Sequence, residues 1–105
     1  MAQIVQNVAT FRADRPWGAH LLTKVDRATV KLHWADQPYK WHVNDGSEAF
    51  VVLHGAVDMY FKEGGQTRCV RLGPAEIFIA EPGDEHVAHP IGEARILVIE
   101  SEGSA

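Results

Sequence analysis

At 105 residues with 46% hydrophobic content, the chain has enough apolar material for one compact domain and too little length for two. Its formal charge of -4 and pI near 5.8 argue against phosphate-backbone binding, which depends on clustered Lys and Arg, so nucleic acid is not an expected partner. A single cysteine, Cys69, excludes an intrachain disulfide framework, and no run approaches the roughly 20 apolar residues that span a bilayer.

From the N-terminus, Met1 to Arg12 carries neither a basic cluster ahead of an apolar core nor a cleavage pattern, which predicts a cytoplasmic protein with no membrane partner. Short apolar or alternating runs then predict strands over Ile4 to Val8, Ala19 to Thr23, Ala28 to Trp34, Ala49 to His54, Val57 to Phe61, Thr67 to Leu72, Glu76 to Ala80 and Arg95 to Glu100. Turn chemistry punctuates them at Arg15 to Gly18, Asp36 to Pro38, Asn44 to Ser47, Glu63 to Gln66, Gly73-Pro74, Glu81 to Asp84 and Pro90 to Gly92, leaving no room for a helix of ordinary length. Many short strands at regular spacing predict an all-β antiparallel barrel or sandwich.

Alternation supplies detail. In Val57 to Lys62, Val57, Met59 and Phe61 share one face while Asp58, Tyr60 and Lys62 share the other, as in a strand with one buried side. Ala28 to Trp34 sets Val30, Leu32 and Trp34 against Thr29, Lys31 and His33, so His33 lines a polar cavity or faces water, with water the default. The unbroken apolar run Ile96 to Ile99 predicts a central strand covered on both sides. Ser101 to Ala105, small and polar, reads as a flexible tail.

Two segments carry the chemistry. In an extended strand His42 and Asn44 point to the same side, about 6 to 7 Å apart, so both can reach one ion. The turn residues after them let Glu48 begin a returning strand that faces His42. The turn Glu81-Pro82-Gly83-Asp84 precedes His86, a further imidazole. Two imidazoles and one carboxylate suit a borderline divalent metal with open coordination positions. Asn44 reads equally as a turn residue capping its own backbone. Among the other histidines, His54 lies about 20 Å along the strand from Glu48, and His89, three residues after His86, points to the opposite face.

The run His42-x-Asn44-x3-Glu48-x6-Gly55 resembles the first motif of the cupin superfamily, with Asn44 where that family usually has a second histidine. Pro82-Gly83-x-x-His86 is similar to the second motif, with Glu81 at the place expected for Pro. The resemblance covers roughly residues 24 to 100. It implies a single cupin domain over residues 1–105: a double-stranded β-helix or jelly-roll barrel with its core at about 24–100, N-terminal strands at about 4–23 and a tail at 101–105. The family's metal ligands carry over onto His42, Asn44, Glu48 and His86, and a homodimer is implied, with Ile4, Val5 and Val8 buried between chains. The four residues Arg15-Pro16-Trp17-Gly18 are similar to a run in cupin domains of mannose-phosphate isomerases, and a Pro-Gly turn anchored by a buried Trp explains them equally well.

The functional expectation is a metallocupin holding one divalent transition metal, Fe, Mn, Ni or Zn, and acting on an oxygen-chelating small molecule by oxygenase- or isomerase-type chemistry. A hydroxy acid, a diketone or a sugar meets that description. His33, Lys31 and Tyr60 are the candidate pocket residues. The alternatives are a non-catalytic module that binds a small ligand or metal, and an empty structural barrel.

Overall fold

The computed structural model describes residues 1–103. After a short 3-10 turn at Val8–Thr10 come seven strands: β1 (Ala19–Val25), β2 (Ala28–Ala35), β3 (His42–Val43), β4 (Glu48–Glu63), β5 (Gln66–Leu72), β6 (Ile77–Ala80) and β7 (Glu85–Ser101). The main path of the sheet runs β1-β2-β7-β4-β5, with β3 added to β7 and β6 to β4, and every pairing is antiparallel.

The long strands β4 and β7 organise the molecule. They pair from Glu48↔Glu100 to Phe61↔His86, and their register shifts on either side of His54. Gly55 sits at that irregularity with φ +82, and a Cβ there would lie 2.4 Å from the Glu93 carbonyl oxygen. Only glycine admits both the left-handed backbone and this approach, and the bulge bends the paired strands around the barrel corner. Each long strand thereby serves both halves of the barrel. Toward one end β4 pairs with β6, toward the other with β5.

Inward positions then follow the period of two. Phe50, Val52, Val57 and Met59 from β4 meet Ala88, Ala94, Ile96 and Val98 from β7 in one core, closed by Ala35 and Leu72. Met59, Ile96, Val52 and Val57 are fully buried, and each such side chain contributes about 1.5–3 kcal/mol of transfer free energy.

Several expectations are corrected. Ile4 to Val8 forms no strand: Asn7 adopts φ 58 ahead of the 3-10 turn, and the segment continues to Phe11, whose carbonyl accepts from the Nε–H of buried Arg95 at 2.9 Å. The free edge of β1 therefore stays unpaired by this segment. Ala49 to His54 and Val57 to Phe61 are halves of one strand, β4, because the Gly55 bulge bends the ladder without ending it. β7 begins ten residues before Arg95, at Glu85, with Pro90 opposite Val57 and Gly92 within the strand rather than in a turn. Of the run Ile96 to Ile99, Leu97 and Ile99 are half-buried, so the strand is central but covered fully on one side. The core boundary near residue 24 falls inside β1. The tail begins later than residue 101: Ser101 pairs with Ala28, and the Glu102 N–H donates to the Arg27 carbonyl at 2.7 Å. The last two positions of the expected tail lie outside the described residues. No helix among the described residues is long and apolar enough to cross a membrane.

Candidate metal centre

β3 is two residues long and pairs with the start of β7, which sets His42 directly opposite His86. The rings stand edge to face with centroids 4.3 Å apart. Two backbone hydrogen bonds lock the segments beyond this pair: the Asn44 N–H donates to the Asp84 carbonyl at 2.8 Å, and the Gly83 N–H donates to the Asn44 carbonyl at 2.8 Å. Gly83 takes φ +91, the left-handed backbone such a turn demands. Glu81 has a structural task, since its Oε1 accepts from Ser47 Oγ at 2.8 Å and its N–H donates to Asp84 Oδ2 at 2.8 Å. The expected His42–Glu48 hairpin is not formed. The turn Asn44 to Ser47 instead carries the chain from β3, paired with the start of β7, to a place between β6 and the far end of β7, where Glu48 pairs with Ala80 on one side and Glu100 on the other.

Three ligand-type side chains converge. One donor atom each from His42, Glu48 and His86 lies within 4.8 Å of the others. Donors sharing an ion at about 2.0–2.2 Å stand at most about 4.4 Å apart, so a small closure completes the site. His86 Nε2 and Glu48 Oε1 are already 3.2 Å apart, and both side chains are buried. Burial opposes the charge on Glu48, but hydrogen bonds from His86 and Asn44 and the nearby imidazoles outweigh it and hold its pKa below the usual value.

Orientation of the ligands is partly built in. His42 Nδ1 lies 3.2 Å from the Lys40 carbonyl, an acceptor only, so Nδ1 carries the hydrogen and Nε2 keeps the lone pair a metal needs. The Asn44 Nδ2–H donates to Glu48 Oε1 at 3.3 Å, while Asn44 Oδ1 is buried without a partner. His86 Nδ1 is likewise buried and unpartnered, and the ring rests against Phe78 with centroids 5.3 Å apart. The Asn44 amide, whose Oδ1 is orphaned, would present that acceptor to the convergent donors by turning over. By donor chemistry and spacing the residues fit a divalent metal.

The triad opens into a cavity of about 100 Å³ whose other walls are Trp17, Tyr39, Phe50 and Val98, with His33 and Glu100 as its further polar groups. Trp17 is fixed by its Nε1–H, which donates to the Gln37 carbonyl at 2.7 Å, and its own carbonyl lies 3.0 Å from His33 Nδ1. Burial lowers the pKa of His33, partly offset by that backbone contact. Glu100 is raised to about 7, first by burial and then by the charge of Glu48 beside it.

His33 lines the cavity. Lys31 does not line it, although its charge bears on both His33 and Glu100. Tyr60 is corrected: it shares the outer face with Asp58, lies opposite Cys69 on β5, and its ring meets His89 at 4.6 Å between centroids. His54 is engaged by Arg95, and His20 lies on exposed β1. Glu100 and Tyr39 were not among the expected pocket residues. The signal for Glu100 is the alternation Ile96-Val98-Glu100, which carries the buried face of β7 on to a carboxylate. Tyr39, in an irregular segment after Pro38, has no such periodicity.

No family model matches the chain, and no curated protein matches it in sequence. Solved structures do match in fold. A cupin-2 domain protein from Shewanella frigidimarina superposes with a TM-score of 0.76 at 22% identity, over 86% of this chain and 85% of that one. A Klebsiella pneumoniae protein with a double-stranded β-helix domain gives 0.74 at 17% identity, over 99% and 96%. Hydroquinone 1,2-dioxygenase from Sphingomonas, with 4-hydroxybenzoate bound, gives 0.76 at 21% identity over 86% of this chain and 29% of that one. The fold is the double-stranded β-helix of cupins.

Proposed function

We propose that this chain, a cupin by fold, holds one divalent transition metal through His42, Glu48 and His86 and presents it to a small oxygen-chelating substrate, as a metalloenzyme of oxygenase or isomerase type. The observation that carries the reading is the convergence of the three donors with His42 Nε2 left free by the Lys40 carbonyl. When bound there, iron, manganese, nickel or zinc would supply Lewis acidity toward a chelated oxygen, with dioxygen chemistry open to iron.

The protein's own residues take defined parts. Glu48 supplies the anionic ligand, and the Asn44 amide holds that carboxylate in place; Asn44 Oδ1 reaches the ion only if the amide turns over. Trp17, Tyr39 and Phe50 give the cavity its aromatic walls. Glu100, which lines the cavity with the three donors, is the carboxyl group placed to hold or release a proton there, which favours an enzyme over a passive binding module. The phenolic ligand named for the Sphingomonas dioxygenase supports a small-molecule site. The test is metal content after native purification, followed by turnover of hydroxy acids and diketones with and without metal. Metal binding without turnover of any of them would favour the non-catalytic alternative.

We also infer a cytoplasmic homodimer. The outer face of β4, β6 and β7 is apolar, with Ile77 and Ile79 each 55% exposed beside half-buried Ala49, Val51, Leu97 and Ile99. In the N-terminal segment Ile4 is 82% exposed. A second copy covers such surface at little cost. One free cysteine fits a reducing compartment.

A further inference from the structure

We propose that His33 and Glu100 form an acceptor pair that selects a chelating ligand bearing an additional hydroxyl group, such as a short dihydroxy acid, over one without a spare donor, such as a diketone. The inference rests on the metal site proposed above and narrows its substrate class.

The chemistry follows from what each group has left to offer. The Trp17 carbonyl can only accept, so the 3.0 Å contact puts the hydrogen on His33 Nδ1 and leaves Nε2 a bare acceptor in a ring that lines the cavity. Glu100 lines the same cavity, and its Oε2 is buried with no partner. The remaining walls are the rings of Trp17, Tyr39 and Phe50 and the side chains of Ala88 and Val98. A ligand that meets the metal with its chelating oxygens and carries no other donor gives neither acceptor a partner. Such loss is penalised far more heavily than a mismatch in apolar contact. A ligand with one more O–H can donate its single hydrogen to one of them and so relieves part of that loss.

Size narrows the class further. A water needs about 10–15 Å³ of such space, so a cavity of about 100 Å³ admits a ligand of roughly six to ten non-hydrogen atoms. Glycerate and lactate both fall in this range, chelate through the same carboxylate and 2-hydroxyl, and differ only in the 3-hydroxyl.

The test is calorimetric titration in three arms: zinc alone, then glycerate, then lactate, the last two into zinc-loaded protein. The expected result is zinc binding near one ion per chain and glycerate bound about tenfold or more tightly than lactate. Since one O–H meets one acceptor at a time, His33→Phe, Glu100→Met or the double variant should reduce that preference at least threefold, whereas Glu100→Gln, which keeps an acceptor oxygen, should retain most of it. Circular dichroism identifies any variant that fails to fold, and the remaining variants then decide. If zinc does not bind, both this inference and the metal reading fall. If zinc binds but glycerate and lactate bind equally, or if their ratio is unchanged in His33→Phe, Glu100→Met and the double variant, this inference falls and the metal reading stands.

Discussion

His42 and His86 face each other as direct partners across the two-residue ladder between β3 and β7, their ring centroids 4.3 Å apart. The pairing joins two segments more than forty positions apart in the chain, and the hydrogen bonds between Asn44 and the Gly83-Asp84 turn hold it. The ligand geometry is therefore a property of backbone pairing, which exposed side chains on loops would not give.

The Asn44 amide restrains Glu48 through one hydrogen bond, so Asn44→Ala should keep the fold and weaken zinc binding about 10- to 100-fold, the range seen for residues that orient metal ligands. Asn44→His should tighten it by adding an imidazole beside the existing three donors. Competition titration with a chromophoric chelator measures both; equal affinities across the three proteins would remove Asn44 from the site.

Gly55→Ala should be severely destabilising, because the added carbon would meet the Glu93 carbonyl at 2.4 Å on a backbone with φ +82. A cost of about 2–4 kcal/mol corresponds to a fall in melting temperature of roughly 10 °C or more. Gly64→Ala, at φ +57 with nothing within 4 Å, should cost only about 1 kcal/mol. Thermal denaturation of the two variants side by side separates steric closure from backbone strain.

Much of this architecture is legible in the residue pattern. The alternation of Val57 and Met59 against Asp58 and Tyr60 reads directly as buried and outer faces, and that same alternation speaks against the expectation that Tyr60 lines the cavity. The convergence of the candidate ligands His42, Glu48 and His86 is legible from donor type and turn spacing. Partner choice is not: local turn chemistry at Asn44 to Ser47 suggests a hairpin, whereas β3 finds β7 through contacts far away in sequence. Apolar character at Ile4 to Val8 likewise says nothing of a pairing partner, and none forms. Pro90 and Gly92 look like a turn, yet lie within the bent part of β7, where the ladder tolerates them.

In metal-free protein Glu100 makes stability depend on pH. Its folded-state pKa is raised from 4.5 to about 7, so the folded chain retains a proton that the unfolded chain releases between those values. This contribution is complete below about pH 4.5 and is lost as pH rises through about 7. Glu100→Gln should therefore be more stable than the parent at pH 8 by about 1–2 kcal/mol, a figure reduced for the partial exposure of the group, with the gap closing toward pH 4. Urea denaturation at both pH values measures it; a gap that widens on acidification would contradict the assignment.

If the apolar outer face is a dimer interface, light scattering of dilute protein should report about twice the 11.6 kDa chain mass. Ile79→Glu should give a folded monomer, since the charge would be buried between copies. A parent protein that is monomeric at micromolar concentration would remove the dimer.

The central claim is the metal site, and elemental analysis after equilibrium dialysis against zinc tests it most directly. The parent protein should retain about one ion per chain at neutral pH and release it on mild acidification, as protons compete for the imidazoles. Glu48→Gln and His86→Ala should fold and lose most of that occupancy. Full occupancy in both variants, or none in the parent, would contradict the account.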